Sequence, residues 1–147
     1  MPDSLLLSDL DTALLALRPV VVTTLPAAPD ATLGDFLHRT LRPVLKLQNE
    51  RLLLTVADFV REHHIAFAGA AVVEQQRLVA ELLARNVKLR YTIIGLITGL
   101  LTGPETDLYR RHRGEVNRRL LELAARRVQD QTAAVAAASQ PLPPPQA

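Results

Sequence analysis

Cysteine is absent from this chain, which excludes disulfides, thiolate zinc sites, thiol nucleophiles and thiolate-held iron–sulfur clusters together. Tryptophan is absent as well, and aromatic residues make up only 3%. There is little to stack nucleobases on and few of the aromatics that favour strands. Lysine is nearly missing: of 17 basic residues only Lys46 and Lys88 are Lys, and the rest are Arg. With Ala and Leu so frequent, a GC-rich genome is a sufficient cause of that bias, so arginine abundance alone does not indicate phosphate binding. The net charge of +2 is too small to name a partner. It is uneven, because residues 1–37 set Asp3, Asp9, Asp11, Asp30 and Asp35 against Arg18 alone.

Long apolar runs are also lacking. The stretch from Tyr91 to Leu101 is nearly all apolar and no charge occurs before Glu105, but a membrane span needs ~18 or more apolar residues. No span is expected. Leu5, Leu6 and Leu7 are surrounded by acidic residues with no basic segment before them, unlike a secretory signal, so a cytoplasmic address is expected.

What is present is a helical composition. The chain is 48% hydrophobic over 147 residues, enough for one ordinary domain with a core of Leu, Val, Ile and Ala. Leu6, Leu10, Ala13, Leu14 and Leu17 fall at helical spacing and Arg18-Pro19 ends them, predicting a short first helix. Val20 to Leu25 is β-prone, but without a second strand it reads as an extended connector, continued by Pro26 and Pro29. Thr32, followed three residues on by Asp35, opens the second helix, whose apolar stripe runs from Leu37 to Val60 and ends near His63. Pro43 lies inside it and predicts a kink or a break.

A turn at Phe67–Gly69 leads to a third helix from about Ala70 to Leu101. Thr102, Pro104 and Glu105 then form a complete capping signal for the fourth, which fades in the alanine-rich stretch after Gln131. Short connections make neighbouring helices antiparallel. The expected architecture is an all-α antiparallel bundle of three long helices plus a short N-terminal helix, in one domain over residues 1–138. A disordered Pro-rich tail covers 139–147.

Two features of this arrangement are candidate sites. If the hairpins turn at Phe67–Gly69 and Thr102–Gly103, then Glu50 lies level with Asn86, Arg90 with Glu115, and Asn86 with Arg119. Gln48, Glu50, Arg51, Asn86, Arg90, Glu115 and Arg119 then gather at mid-bundle, with His112 nearly a turn from Glu115. That layer is either a structural network, Arg90 pairing with Glu115 and the amides setting register, or an anion or small-ligand site built on guanidinium groups. His112 and Glu115 could in principle do acid–base work.

The second feature is Gly95 and Gly99, four apart in the uncharged end of the third helix, flanked by Ile94, Leu96 and Leu100. Glycine inside a helix costs roughly 1 kcal/mol, so a close neighbour is expected, within the chain or from a partner. Three rods and one short piece leave a side uncovered, and a homo-oligomer or a protein partner is expected.

No metal or cofactor is expected. No Glu is followed by His at di-iron spacing, only Asp35 and His38 share that spacing, and His63 and His64 are adjacent and point about 100° apart on a helix. Gly-rich phosphate loops, nucleophile elbows and zinc-protease motifs are missing. Arg110, Arg111, Arg113, Arg118, Arg119, Arg126 and Arg127 could form a nucleic-acid face. They spread around the fourth helix, however, and Glu115 and Glu122 are placed to pair with Arg118, Arg119 and Arg126, so nucleic acid is the weaker expectation. The ranking is therefore a non-catalytic bundle acting by self-association or partner binding, then a small-ligand or anion binder, then a nucleic-acid binder.

Overall fold

The computed structural model describes residues 8–20 and 33–146. It is all-helical, with no strand among the described residues. The elements are α1 (Asp9–Leu17), α2 (Leu33–Phe36), a π-helical turn (Leu37–Leu41), α3 (Arg42–Leu47), α4 (Asn49–Glu62), α5 (Val72–Arg85), α6 (Val87–Thr98), α7 (Gly103–Arg111), α8 (Arg113–Gln129) and α9 (Thr132–Ala138). Thr32, the expected cap of the second helix, and most of the Val20–Leu25 connector lie outside the described residues.

Each expected rod is interrupted, and at Pro43 and Asn86 the interruption has a local cause. Pro43 has no N–H and its ring crowds the carbonyl a turn earlier. The helix widens just ahead of it, and the Arg42 N–H reaches back five residues to the Leu37 carbonyl. At Asn86 the backbone is extended and the side chain accepts from the Leu89 N–H at 2.9 Å. Asn86 is thus the N-cap of α6, the position its short polar side chain favours over a helix interior. His112 breaks the fourth rod. That junction is stapled by Tyr109, whose hydroxyl donates to Asn117 Oδ1 at 2.7 Å and whose ring underlies Arg113.

The helix after Gln131 does not fade. It restarts as α9, and Thr132 and Val135 are buried, with α9 packed on α4.

Two ends are closed as the residue pattern requires. Thr102 accepts from the Glu105 N–H while Glu105 accepts from the Thr102 N–H, a complete capping box with Pro104 in the first turn. At the end of α4 the Ile65 N–H bonds the Val60 carbonyl and the His64 N–H bonds the Arg61 carbonyl, which is a Schellman motif. His64 occupies its left-handed position with φ 53°, where glycine is the usual residue.

The core collects Leu41, Val44, Leu52 and Val56 from the second rod, Val79, Ile93 and Ile97 from the third, and Val116, Leu120, Ala124 and Val128 from the fourth. α5 packs on α8, and Gln76 and Gln129 each donate a side-chain amide to the other's backbone carbonyl, at 3.2 and 2.9 Å. That antiparallel offset places Asn86 level with Arg119. The second rod departs from the expected pairing: α4 packs on α6, α8 and α9. Gln48 bonds the Leu96 carbonyl, while Phe59 and Glu62 share a groove with Lys88, Leu89 and Thr92. Asn86 therefore lies toward the C-terminal end of α4, away from Glu50. The connection His63–Ala71 is longer than a tight hairpin, and the bend at Asn86 lets α6, rather than α5, close against α4.

Candidate functional site

The mid-bundle residues separate into three groups with no hydrogen bond or ion pair joining them among the described residues. Gln48 is buried, donates to the Leu96 carbonyl at 3.2 Å and accepts from Arg51 at 3.3 Å, while Glu50 is exposed. The Leu96 carbonyl is one of the last four of α6, which have no ordinary helical partner. The Gly99, Leu100 and Leu101 N–H groups take the carbonyls of Gly95, Ile97 and Thr98, so Gln48 completes the set. Asn86, the second group, is occupied in capping α6.

In the third group Glu115 pairs with Arg118 and Arg119 of its own helix, at 2.7 and 3.3 Å, not with Arg90. Partners three and four residues away on the same face are closer than anything across the bundle. The hydrogen bonds from Arg118 and Arg119 hold the Glu115 carboxyl below its ordinary range. A carboxylate so held is a poor proton acceptor for His112, which is itself exposed at the α7–α8 break. Arg90 is half-buried with its Nε unpartnered, in a groove of about 330 Å³ shared with Ala80, Arg118, Glu122 and Arg126.

A different polar cluster, unmarked by sequence spacing, ties α1 to the rest of the chain. Arg18 donates two hydrogen bonds to Glu105, at 2.7 and 2.6 Å, and one to the Leu100 carbonyl at 3.1 Å. Thr40 of the π-helical turn donates to Glu105 at 3.2 Å, and Asp11 accepts from the Gly103 N–H at 2.9 Å. Burial works against ionisation of Glu105, but the hydrogen bonds from Arg18 and Thr102 outweigh it and lower the pKa. Asp11 and Glu105 both stand at the N-terminus of α7, where free N–H groups and the helix dipole favour negative charge. The sequence clues were the capping box and Arg18 alone among acidic residues; nothing in the sequence indicated that they meet.

The third helix is not buried all round. On α6, Leu89, Ile93, Ile94 and Ile97 face the core. Ile94 is therefore not available to a partner, and Leu96 and Leu100 are half-buried. Val87 and Tyr91 are 61% and 64% exposed, and Gly95 and Gly99 are exposed too. A Cβ built on Gly95 would meet nothing within 4 Å, and one on Gly99 would meet only the Gly95 carbonyl, at 3.1 Å. Among the described residues, no side chain uses the gap at Gly95.

The arginines of the fourth rod divide likewise. Arg118 and Arg119 are paired with Glu115, and Arg118 also with Glu122, but Arg126 forms none of the ion pairs expected with Glu122. Arg126 and Arg127 instead border an open groove of about 530 Å³ with His38, Arg42, Leu45, Leu123, Asp130 and Gln131.

Among the described residues no group of three or more His, Asp or Glu could hold a metal ion, and no helix is long and apolar enough to cross a membrane. No family model, curated protein or solved structure matches this chain.

Proposed function

We propose that this is a non-catalytic helical protein that works by self-association, with the exposed face of α6 meeting the same face of a second copy. The observation that carries this reading is Gly95. A glycine inside a helix costs roughly 1 kcal/mol relative to alanine, and here no neighbour among the described residues needs the space. A helix backbone from outside would need it.

The rest of the face suits such a contact. Val87, Tyr91 and Gly95 recur every four residues and so share one side of α6, with no charge from Tyr91 to Pro104. An isologous pair places the same patch on both sides, so the part of the stripe from Tyr91 onward, which is uncharged, meets no like-charge penalty when it meets itself, while exposed Lys88 lies at the stripe's N-terminal end. Tyr91 supplies area and a polar tip, the mix common at interface centres. We read the architecture behind it as three antiparallel rods, each bent at a helix break, with α1 laid beside them.

Sedimentation velocity over a concentration series tests the proposal. The parent protein should sediment as a dimer or higher oligomer at about 100 μM, a level at which a micromolar interface is mostly filled. Gly95→Arg and Tyr91→Arg, both on exposed positions, should return it to a folded monomer. A parent protein that is monomeric throughout the series refutes the reading, as does an oligomer indifferent to both substitutions.

A further inference from the structure

The groove beside the π-helical turn concentrates positive charge that the fold leaves unneutralised. Arg42 enters it from the start of α3, and Arg126 and Arg127 from the last turn of α8. None of the three makes an ion pair among the described residues, whereas Arg18, Arg61, Arg77, Arg118 and Arg119 all do. Among the described residues Asp130 is the one carboxylate on the groove, and it forms an ion pair with none of them. Half-buried Arg127 has its pKa lowered first by burial and then by the charge of Arg42, with Asp130 offsetting part of this. Two guanidinium groups therefore work against each other across the gap.

Arginines in the last turn of a helix complement its dipole, which accounts for Arg126 and Arg127. It does not account for Arg42, which comes from another element. Arg42 owes its place to Pro43, since the widened turn that the proline induces sits directly before it. Such π-helical turns recur at functional sites.

Two of the three cationic side chains, Arg127 and Arg42, are also held in place. Asn49 and Gln131 exchange amide hydrogen bonds at 2.9 and 2.8 Å, and Arg127 donates to Asn49 Oδ1 at 3.3 Å. Arg42 reaches the His38 ring at 3.4 Å. Half-buried Leu123 gives the groove apolar surface, over a floor closed by the buried Leu45. Three guanidinium groups suit the geometry of a doubly charged oxyanion, and the volume is larger than a bare phosphate needs, within the range of small-molecule sites.

We propose that this groove binds a small organic phosphomonoester, with Arg42, Arg126 and Arg127 gripping the phosphate and half-buried Leu123 supporting the organic group. The site is separate from the α6 face and does not depend on self-association.

Calorimetric titration at constant ionic strength, with phenyl phosphate, inorganic phosphate and a single-stranded oligonucleotide as probes, tests it. Phenyl phosphate should bind saturably at one site per chain and more tightly than inorganic phosphate. Arg42→Gln and Arg126→Gln, at exposed positions, should each weaken it by about ten-fold or more, the usual effect of losing a charge-assisted hydrogen bond. Without ligand, Arg42→Gln should leave thermal stability unchanged or raised, because it removes the repulsion with Arg127. Absence of saturable phenyl phosphate binding up to roughly 10 mM, a very weak site on any scale, overturns the proposal. So does binding unaffected by both substitutions, or tight binding of the oligonucleotide alone, which would make the arginines a nucleic-acid surface.

Discussion

Replacing Glu105 should release α1. The helix has little apolar hold on the chain: Asp11 is its only buried residue, while Leu10 and Leu17 are 67% and 58% exposed. The connection rests on the Arg18–Glu105 pair, whose side chains are 10% and 18% exposed, with Asp11 on the Gly103 N–H. Glu105→Ala removes two charge-assisted hydrogen bonds from Arg18, one from Thr40 and half of the capping box. A lost cap costs about 1 kcal/mol, and breaking a fully buried ion pair about 3–5 kcal/mol. Because this pair is partly solvated, the expected total is about 2–4 kcal/mol, a large share of the ~5–15 kcal/mol typical of a domain.

Urea unfolding at neutral pH measures that loss, and a double-mutant cycle with Arg18→Ala isolates the pair, with an expected coupling of about 1–3 kcal/mol. Amide exchange should show residues 9–17 losing protection before the core. The pH dependence has a definite sign. Glu105 has a folded pKa below its unfolded one, so its contribution is complete above the ordinary carboxylate range near ~4.3. It is lost as the pH falls through the lowered folded value. Glu105→Gln should remove that acid-limb component. A coupling under about 0.3 kcal/mol, the usual scatter for independent sites, together with unchanged exchange in α1, would refute the assignment of the pair as the anchor.

Substitutions at three further positions follow from local geometry. Gly95→Ala should stabilise the monomer by about 0.5–1 kcal/mol in dilute solution, through helix propensity with no steric cost, while weakening association; a loss of monomer stability by urea unfolding would mean that a neighbour within the chain needs the gap. Asn86→Ala should cost about 1 kcal/mol and Asn86→Asp much less, since both Asn and Asp cap, whereas a residue that set register by its amide would suffer from either change; paired urea curves decide. His64→Gly should raise stability by about 1 kcal/mol by relieving the left-handed backbone, and an unchanged or lowered thermal midpoint would contradict it.

The helical class, the capping box at Thr102–Glu105, the disturbance at Pro43 and the end of the second helix near His63 could all be read from the chain itself. Each is decided within a few residues, by side-chain periodicity, a missing N–H or a hydroxyl beside free amides. The chain also marked Gly95 as costly, because helix propensity is a local quantity. Which way that glycine faces was settled only by packing, which turned Ile93, Ile94 and Ile97 inward and left Gly95 outside.

Asn86 shows where local reading fails. Its level with Glu50 and Arg119 suggested an amide setting register at mid-bundle, and one bend in the backbone made it a cap. That bend also moved α6 against α4, so Gln48 met the Leu96 carbonyl and Gln48, Glu50 and Arg51 left the level that Asn86 keeps with Arg119. Arg18 with Glu105, and Arg42 with Arg127, come from segments far apart in the chain. No periodicity encodes such meetings. They depend on the angles at which the rods bend and cross, and those angles are set by the whole core at once.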